Sequence, residues 1–152
     1  MSDGEVLHAD HVLDYPYSRS VGPVIGAFLT GLRDGKILGA TGAGGSVIVP
    51  PTEYDPITGD DVGELVEVGP GGVVETWSWV SEPLRNHPLD HPFAFALIRL
   101  DGAGTSMLHV VDAGAPEALS TGARVVPRWK SETERVGHVL DIEAFVPETG
   151  AA

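Results

Sequence analysis

The sequence has no cysteine among its 152 residues. Disulfide bonds and a cysteine nucleophile are therefore excluded, while the redox compartment is left undetermined. No apolar run approaches the roughly 20 residues of a membrane-spanning helix, and the acidic N-terminus differs from the basic start of a signal peptide. We therefore expect a cytoplasmic protein that has no membrane partner.

Basic residues are also scarce, with nine Lys and Arg against 22 Asp and Glu and a formal net charge of -13. Proteins that bind nucleic acid neutralise phosphates with clustered Lys and Arg, so this balance argues against a nucleic-acid partner. Trp77 and Trp79 share one face of a predicted strand and are able to stack on bases, but no basic groove accompanies them. Length and a hydrophobic content of 42% favour one domain with a real core.

The N-terminal third of the chain predicts an arm and one helix. Residues 1–20 show little periodicity and predict an extended arm that lies on a surface or a partner, the alternative being a disordered tail. Residues 21–36 predict an amphipathic helix, because Pro23 suits its first turn, Gly35 suits its exit, and apolar side chains recur at helical spacing at Val24, Ile25, Phe28, Leu29 and Leu32. With no second helix predicted, this apolar stripe must meet the following segment or another subunit.

Residues 37–61 have the frame of a small zinc ribbon from which the metal ligands are missing. Two turn-forming stretches, GATGAGG and DPITGD, flank the strand-like SVIVPP, and the ligand positions would be Thr41, Gly44, Asp55 and Thr58. Zinc in such a site needs four thiolate or imidazole donors, so we expect no structural zinc. Asp55 and Thr58 are expected to supply turn hydrogen bonds instead. The glycine-rich stretch matches neither the Walker phosphate-binding loop nor the dinucleotide-binding fingerprint, which disfavours a nucleotide site.

Residues 62–147 read as consecutive short strands, and residues 148–152 as a tail. The segments ELVEVG, VVETWSWV, FAFALIRL, SMLHVVD, RVVPRWK and HVLDIEAFV are rich in β-branched and aromatic residues and are separated by Gly, Pro or Asp. APEALSTG, before the fifth segment, suits a connecting helix or turn. The pattern predicts a mainly β protein with a small closed barrel of five strands, and an OB-fold fits this spacing.

Candidate catalytic chemistry is thin. His87, Asp90 and His91 form a possible metal site, but Pro88 and Pro92 favour a long loop that contacts a ligand or a partner. His109 and His138 are isolated in predicted strands. We therefore predict no catalytic residue and no metal ligand.

Several local motifs together resemble a known family. These are the helix that ends in GLRDGKILG, the pair Pro50 and Pro51 between two turns, and the later segments PFAFALIRLDG, LHVVDAG and TGARVVPRW. In this order they resemble the zinc-ribbon and OB-fold proteins of the domain of unknown function 35 family, over roughly residues 21–147. The chain departs from that family in its lost cysteines.

The resemblance implies a noncatalytic accessory subunit in a hetero-oligomer with a thiolase-like enzyme that acts on acyl-coenzyme A (acyl-CoA) esters. A lipid-transfer-type thiolase, or an aldolase that shortens steroid side chains, is the first expectation for that enzyme. The alternatives are an accessory subunit of a hot-dog-fold enoyl-CoA hydratase and a free-standing OB-fold ligand-binding module. No resident cofactor is expected, and the acyl-CoA is a possible ligand of the complex.

Two groups of residues follow as site candidates. Arg and Lys suit the phosphates of a CoA ester, which makes Arg33, Lys36, Arg124, Arg128 and Lys130 candidates, with Arg135 close in sequence. Ordinary salt bridges at the barrel edge are the alternative for each of them. The candidates for the partner interface are Val24, Phe28, Leu32, Trp77, Trp79 and Phe93, together with Phe95, although some of these aromatic residues suit the barrel core equally.

Overall fold

The structure is a computed structural model, and it describes residues 8–148. Residues 8–20 have no helix or strand, and their large apolar side chains are 65–83% exposed at Val12, Leu13, Tyr15 and Tyr17. The first seven residues of the predicted arm, and residues 149–152 of the predicted tail, lie outside the described residues.

The predicted helix is present as α1, Pro23–Arg33, and is shorter than expected at both ends. Its first turn is capped from a distance, because the Glu53 carboxylate accepts hydrogen bonds from the backbone N–H groups of Val24 (3.3 Å) and Ile25 (2.9 Å). An acceptor at this position satisfies donors that an α-helix leaves unpaired. The chain leaves the helix through Gly35, whose φ of +74° suits only glycine without strain.

A small antiparallel sheet follows, in the order β2-β1-β3, formed by β1 (Ile37–Thr41), β2 (Val47–Ile48) and β3 (Leu65–Val68). The sequence predicts β3 as the first strand of the long β segment. In the structure it pairs with β1, with Ile37 opposite Val68. The turn at residues 69–71 then redirects the chain, so the barrel begins only at the next strand.

The remaining strands form a closed five-stranded barrel. They are β4 (Gly72–Val80), β5 (Phe93–Leu100), β6 (Met107–Val111), β7 (Arg124–Trp129) and β8 (Ile142–Pro147). Their order is β4-β5-β6-β8-β7, β6 runs parallel to β8, and β4 closes the barrel by pairing with β7. This arrangement confirms the predicted mainly β fold with an OB-type barrel. The predicted connecting helix or turn is a single turn of 3-10 helix, Pro116–Ala118.

One buried cluster joins the helix, the small sheet and the barrel. Alternate side chains of the barrel strands point inward, and the most buried of them include Val74, Ile98, Met107, Val125 and Phe145. Phe28 and Leu32 of α1, 5% and 0% exposed, belong to the same cluster. These two side chains of the apolar stripe are therefore covered by the chain itself, while Val24, Ile25 and Leu29 are half-buried. Within residues 8–148, no helix has the length and apolar character needed to cross a membrane.

Candidate functional site

The outer face of strands β5 and β6 is apolar where a barrel surface is usually polar. Phe95 lies opposite Val110 and Leu97 lies opposite Leu108, so these four side chains share one face. Leu97 is 38% exposed and Leu108 is 61% exposed. In OB-folds this face, together with the loop between the first two barrel strands and the loop between the last two, is a common binding surface. The corresponding loops here are residues 81–92 and 130–141.

The loop at residues 81–92 folds back over this face. Leu89 is 9% exposed and packs with Phe93 and Val110 in a second buried cluster outside the barrel. His87 contacts the rings of Phe93 and Phe95 edge-on, with centroid distances of 5.6 and 5.8 Å. The prolines predicted a loop here rather than a helix, and the described loop has neither helix nor strand.

The loop at residues 130–141 is organised by one buried carboxylate. Asp141 is fully buried and accepts hydrogen bonds from the N–H groups of Val136 (3.1 Å), Gly137 (2.7 Å) and His138 (3.0 Å). Burial alone would raise the pKa of Asp141, but these three donors and the nearby charge of Lys130 hold it below its ordinary value. The ionised carboxylate therefore fixes the shape of this loop.

Between the two loops lies a cavity of about 160 Å³. We call it the apolar cleft, and its lining residues are Pro88, Phe95, Leu108, His109, Val110, Val139 and Leu140. His109 is 5% exposed, its Nε2 lies 3.2 Å from the carbonyl oxygen of Val139, and its ring contacts Phe145. Burial lowers the pKa of His109, which keeps the ring neutral near pH 7. This histidine therefore supports the cleft wall.

A wider pocket of about 520 Å³ adjoins the apolar cleft and shares Pro88 with it. Its polar wall is an ion-pair network. His91 contacts Asp90 (3.1 Å) and Asp112 (3.2 Å), and Arg128 contacts both Asp112 (3.0 Å) and Glu143 (2.6 Å). Hydrogen bonds to Asp90 and Asp112 raise the pKa of His91. The result is a link between the loop at 81–92 and strands β7 and β8.

The two histidines of the predicted metal alternative point to different neighbours. His87 contacts the aromatic rings of Phe93 and Phe95, whereas His91 lies in the ion-pair network. Among the described residues, no three His, Asp or Glu side chains come close enough together to hold a metal ion.

The basic residues proposed for CoA binding are not brought together as one site. Arg124 contacts Asp101 through two hydrogen bonds (2.6 and 2.7 Å) and also Glu148 (3.2 Å). Arg128 is likewise shared by two carboxylates, as described above. Both guanidinium groups are therefore already paired, as the salt-bridge alternative predicts.

The other basic candidates lie elsewhere on the chain. Arg33 contacts Asp34 at 3.3 Å and Lys36 contacts Glu67 at 3.8 Å, both beside the C-terminal end of α1. Lys130 begins the loop at residues 130–141 and acts electrostatically on Asp141. The described side chains thus provide no single cluster of free cations for a polyanion.

The proposed interface residues divide into two groups. Phe28, Leu32 and Phe93 are 0–5% exposed and fill the chain's own core, which leaves little of their surface for contact with a partner. Phe28 and Leu32 pack in the main buried cluster, and Phe93 packs in the second cluster with Leu89 and Val110. Val24, Trp77, Trp79 and Phe95 are half-buried and stay candidates.

The ribbon turns are joined by Asp55. This 4% exposed carboxylate accepts hydrogen bonds from the N–H of Ala43 (2.6 Å) in the first turn and from those of Ile57 (2.7 Å) and Thr58 (3.1 Å) in the second. These donors lower its pKa. A zinc ion does not fit this donor set, because the only carboxylate at the four ligand positions is already engaged with backbone amides.

Sequence reasoning missed the exposed leucines of the cleft surface. The sequence contains a signal for them. The side chains of FAFALIRL alternate between the two faces of the strand, and both faces carry apolar residues up to Leu97. A strand of that kind is buried on both sides or carries a binding face.

Residues 65–130 match the family described as the C-terminal OB-fold domain of ChsH2. Among solved structures, the chain is similar to a protein of unknown function from the DUF35 family of Sulfolobus solfataricus. The identity is 23%, the TM-score is 0.58, and the match covers 70% of this chain and 77% of that one. It is also similar to the Ltp2-ChsH2(DUF35) aldolase, with 18% identity, a TM-score of 0.63, and coverage of 87% of this chain and 100% of that one. At these identities the structural matches show a shared fold. No curated protein sequence matches the chain significantly.

Proposed function

We propose that this chain, an OB-fold protein of the DUF35 type, is a noncatalytic accessory subunit of a thiolase-like complex that acts on acyl-CoA esters. One observation carries the proposal. The fold that the chain shares with the Ltp2-ChsH2(DUF35) aldolase covers 87% of this chain and the whole of the matched chain. Fold similarity alone does not fix a function, and the remaining support comes from the side chains.

The described side chains favour a role without catalysis. A general acid or base has to reach a substrate proton, but His109 is buried and neutral, and Asp55 and Asp141 are occupied by backbone donors. Each of these three buried groups with a shifted pKa thus has a local structural partner. This supports the part of the proposal that leaves the chemistry, a carbon-carbon bond cleavage, to the partner enzyme.

The contribution of this chain would be to stabilise the partner and to shape the entrance for the CoA ester. Arg33, Lys36, Arg124, Arg128 and Lys130 are the candidates for contact with the CoA phosphates. Four of these side chains already lie beside a carboxylate, namely Arg33, Lys36, Arg124 and Arg128. Contact with a CoA phosphate therefore requires exchange of an existing ion pair.

Co-purification from the source organism tests this proposal. The tagged chain should recover a thiolase-like protein in a fixed ratio, which mass spectrometry would identify, while an unrelated acidic tagged protein should not. The purified pair should then cleave an acyl-CoA, and the partner alone should be less active or less stable. Recovery of a hydratase instead would transfer the accessory role to hydration of an enoyl-CoA. Recovery of no stoichiometric partner would refute the accessory role and favour a free-standing ligand-binding module.

A further inference from the structure

We infer that the apolar cleft is the surface on which this chain docks its partner protein, and that it receives an aliphatic or aromatic side chain flanked by Lys or Arg. The inference rests on the proposed accessory role and adds to it the location and chemistry of the contact. On the helix face that the sequence suggested, Phe28 and Leu32 lie in the core, which favours a contact elsewhere on the chain.

The size of the cleft favours a single side chain. Its volume of about 160 Å³ is below the range of roughly 300–1,000 Å³ that is usual for small-molecule sites. Protein interfaces, in contrast, commonly place one large apolar side chain in a pocket at the centre of the contact.

The surroundings of the cleft extend the apolar surface. Leu108 is 61% exposed at its wall, Val139 is 37% exposed on the opposite loop, and Leu97 lies beside Leu108 at 38%. Further exposed apolar side chains lie on the two loops, namely Leu84 at 69% and Val136 at 75%. Several exposed apolar side chains on one strand face and its two flanking loops are typical of a protein interaction site.

The charge of the chain favours a basic partner. The whole chain has a net charge of -13. The two flanking loops carry exposed carboxylates at Glu82, Asp90, Glu132 and Glu134, together with the basic residues Arg85, Lys130 and Arg135. An apolar centre on a strongly acidic chain, with these carboxylates at its rim, is complementary to an apolar anchor with basic neighbours, which would also speed association at low salt.

The cleft is also built to keep its shape before binding. Asp141 fixes the loop at residues 130–141 through three backbone donors, and the contact of His91 with Asp112 ties the other loop to the barrel. A surface that is already ordered loses less conformational entropy when the partner binds.

The test is co-purification of the thiolase-like subunit with Leu108→Glu, compared with the wild type and with Ile57→Glu. Ile57 is 84% exposed in the ribbon and serves as the matched control. We expect Leu108→Glu to reduce binding of the subunit by about tenfold or more, as is usual for a residue at the centre of an interface. Ile57→Glu should bind as the wild type does. Melting curves of both variants should confirm that they are folded.

A second variant tests the rim independently of the cleft wall. Glu132→Lys should slow association, and the difference from the wild type should disappear at high salt. If the wild type binds the subunit and both Leu108→Glu and Glu132→Lys bind it equally well, the docking inference is overturned while the accessory role stands. If the wild type binds no thiolase-like subunit, the accessory role fails and the inference fails with it.

Discussion

The carboxylate of Asp141 is the group whose removal should have the most specific effect on this fold. Asp141→Asn keeps the size and shape of the side chain but removes its charge. All three N–H groups donate to Oδ2, from Val136 (3.2 Å), Gly137 (2.7 Å) and His138 (3.0 Å), and Val136 also donates to Oδ1 (3.1 Å). An asparagine oxygen in the place of Oδ2 still accepts these hydrogen bonds, but it is uncharged, and its NH2 group then lies against the N–H of Val136.

The expected size of the effect follows from those hydrogen bonds. Bonds to a charged acceptor contribute about 1.5–3 kcal/mol each and neutral ones about 0.5–1.5 kcal/mol, so three weakened bonds correspond to a loss of about 3 kcal/mol in the free energy of unfolding. For a chain of this length, that loss should lower Tm by about 6–12 °C.

The pH dependence separates this mechanism from simple misfit. Because the folded-state pKa of Asp141 is lowered, its stabilisation is complete above the unfolded pKa of about 3.9 and is lost as pH falls through the folded pKa. The amide of the Asp141→Asn variant does not titrate, so the difference in Tm between the two proteins should be largest at pH 6 and should shrink toward pH 3. A constant difference over that range, or no difference at pH 6, would refute the assignment of Asp141 as an ionised anchor.

Three further predictions concern the helix, its cap and the ion-pair network around His91. Leu32→Ala should lower the free energy of unfolding by about 2–5 kcal/mol, measured by urea denaturation, because Leu32 is fully buried in the main cluster. Glu53→Gln should cost about 1 kcal/mol, since it removes a charged cap from Ile25, and hydrogen exchange should increase in the first turn of α1 rather than in the barrel. His91→Gln should lower Tm at pH 6 but not at pH 9. The reason is that contacts with Asp90 and Asp112 stabilise the protonated ring of His91 and so raise its pKa. This stabilisation is lost as pH rises through the folded-state pKa. Equal Tm differences at the two pH values would contradict this.

The strands of this fold were predictable because their alternation and their Gly and Pro boundaries are local signals. The segments around Trp77, Leu97 and Val110 all became barrel strands at nearly the predicted positions. The partner of β3 was not predictable in the same way. Strand pairing depends on contacts far apart in sequence, and only the turn at residues 69–71 separates the small sheet from the barrel.

The site was less predictable than the fold. Periodicity identified Phe28 and Leu32 as one apolar face, but it contained no information on whether that face meets the barrel or a second protein. The charges of Arg124 and Arg128 were evident, whereas their paired carboxylates come from other strands and from the C-terminal end of the barrel. The apolar cleft likewise depends on two loops that are about 50 residues apart.

The bridge that Asp55 makes between the two ribbon turns changes which chemical signal this region can sense. In a metal-held ribbon, the turns separate when a chelator removes the ion or an oxidant modifies a thiol. Here the joining group is a carboxylate with a lowered pKa, so protonation is what should release Ala43 from Thr58. Acid should therefore loosen the ribbon where EDTA and peroxide leave it intact, a difference that hydrogen exchange of these amides would measure. A ribbon held in this way should keep its shape when metal is withdrawn or an oxidant is added.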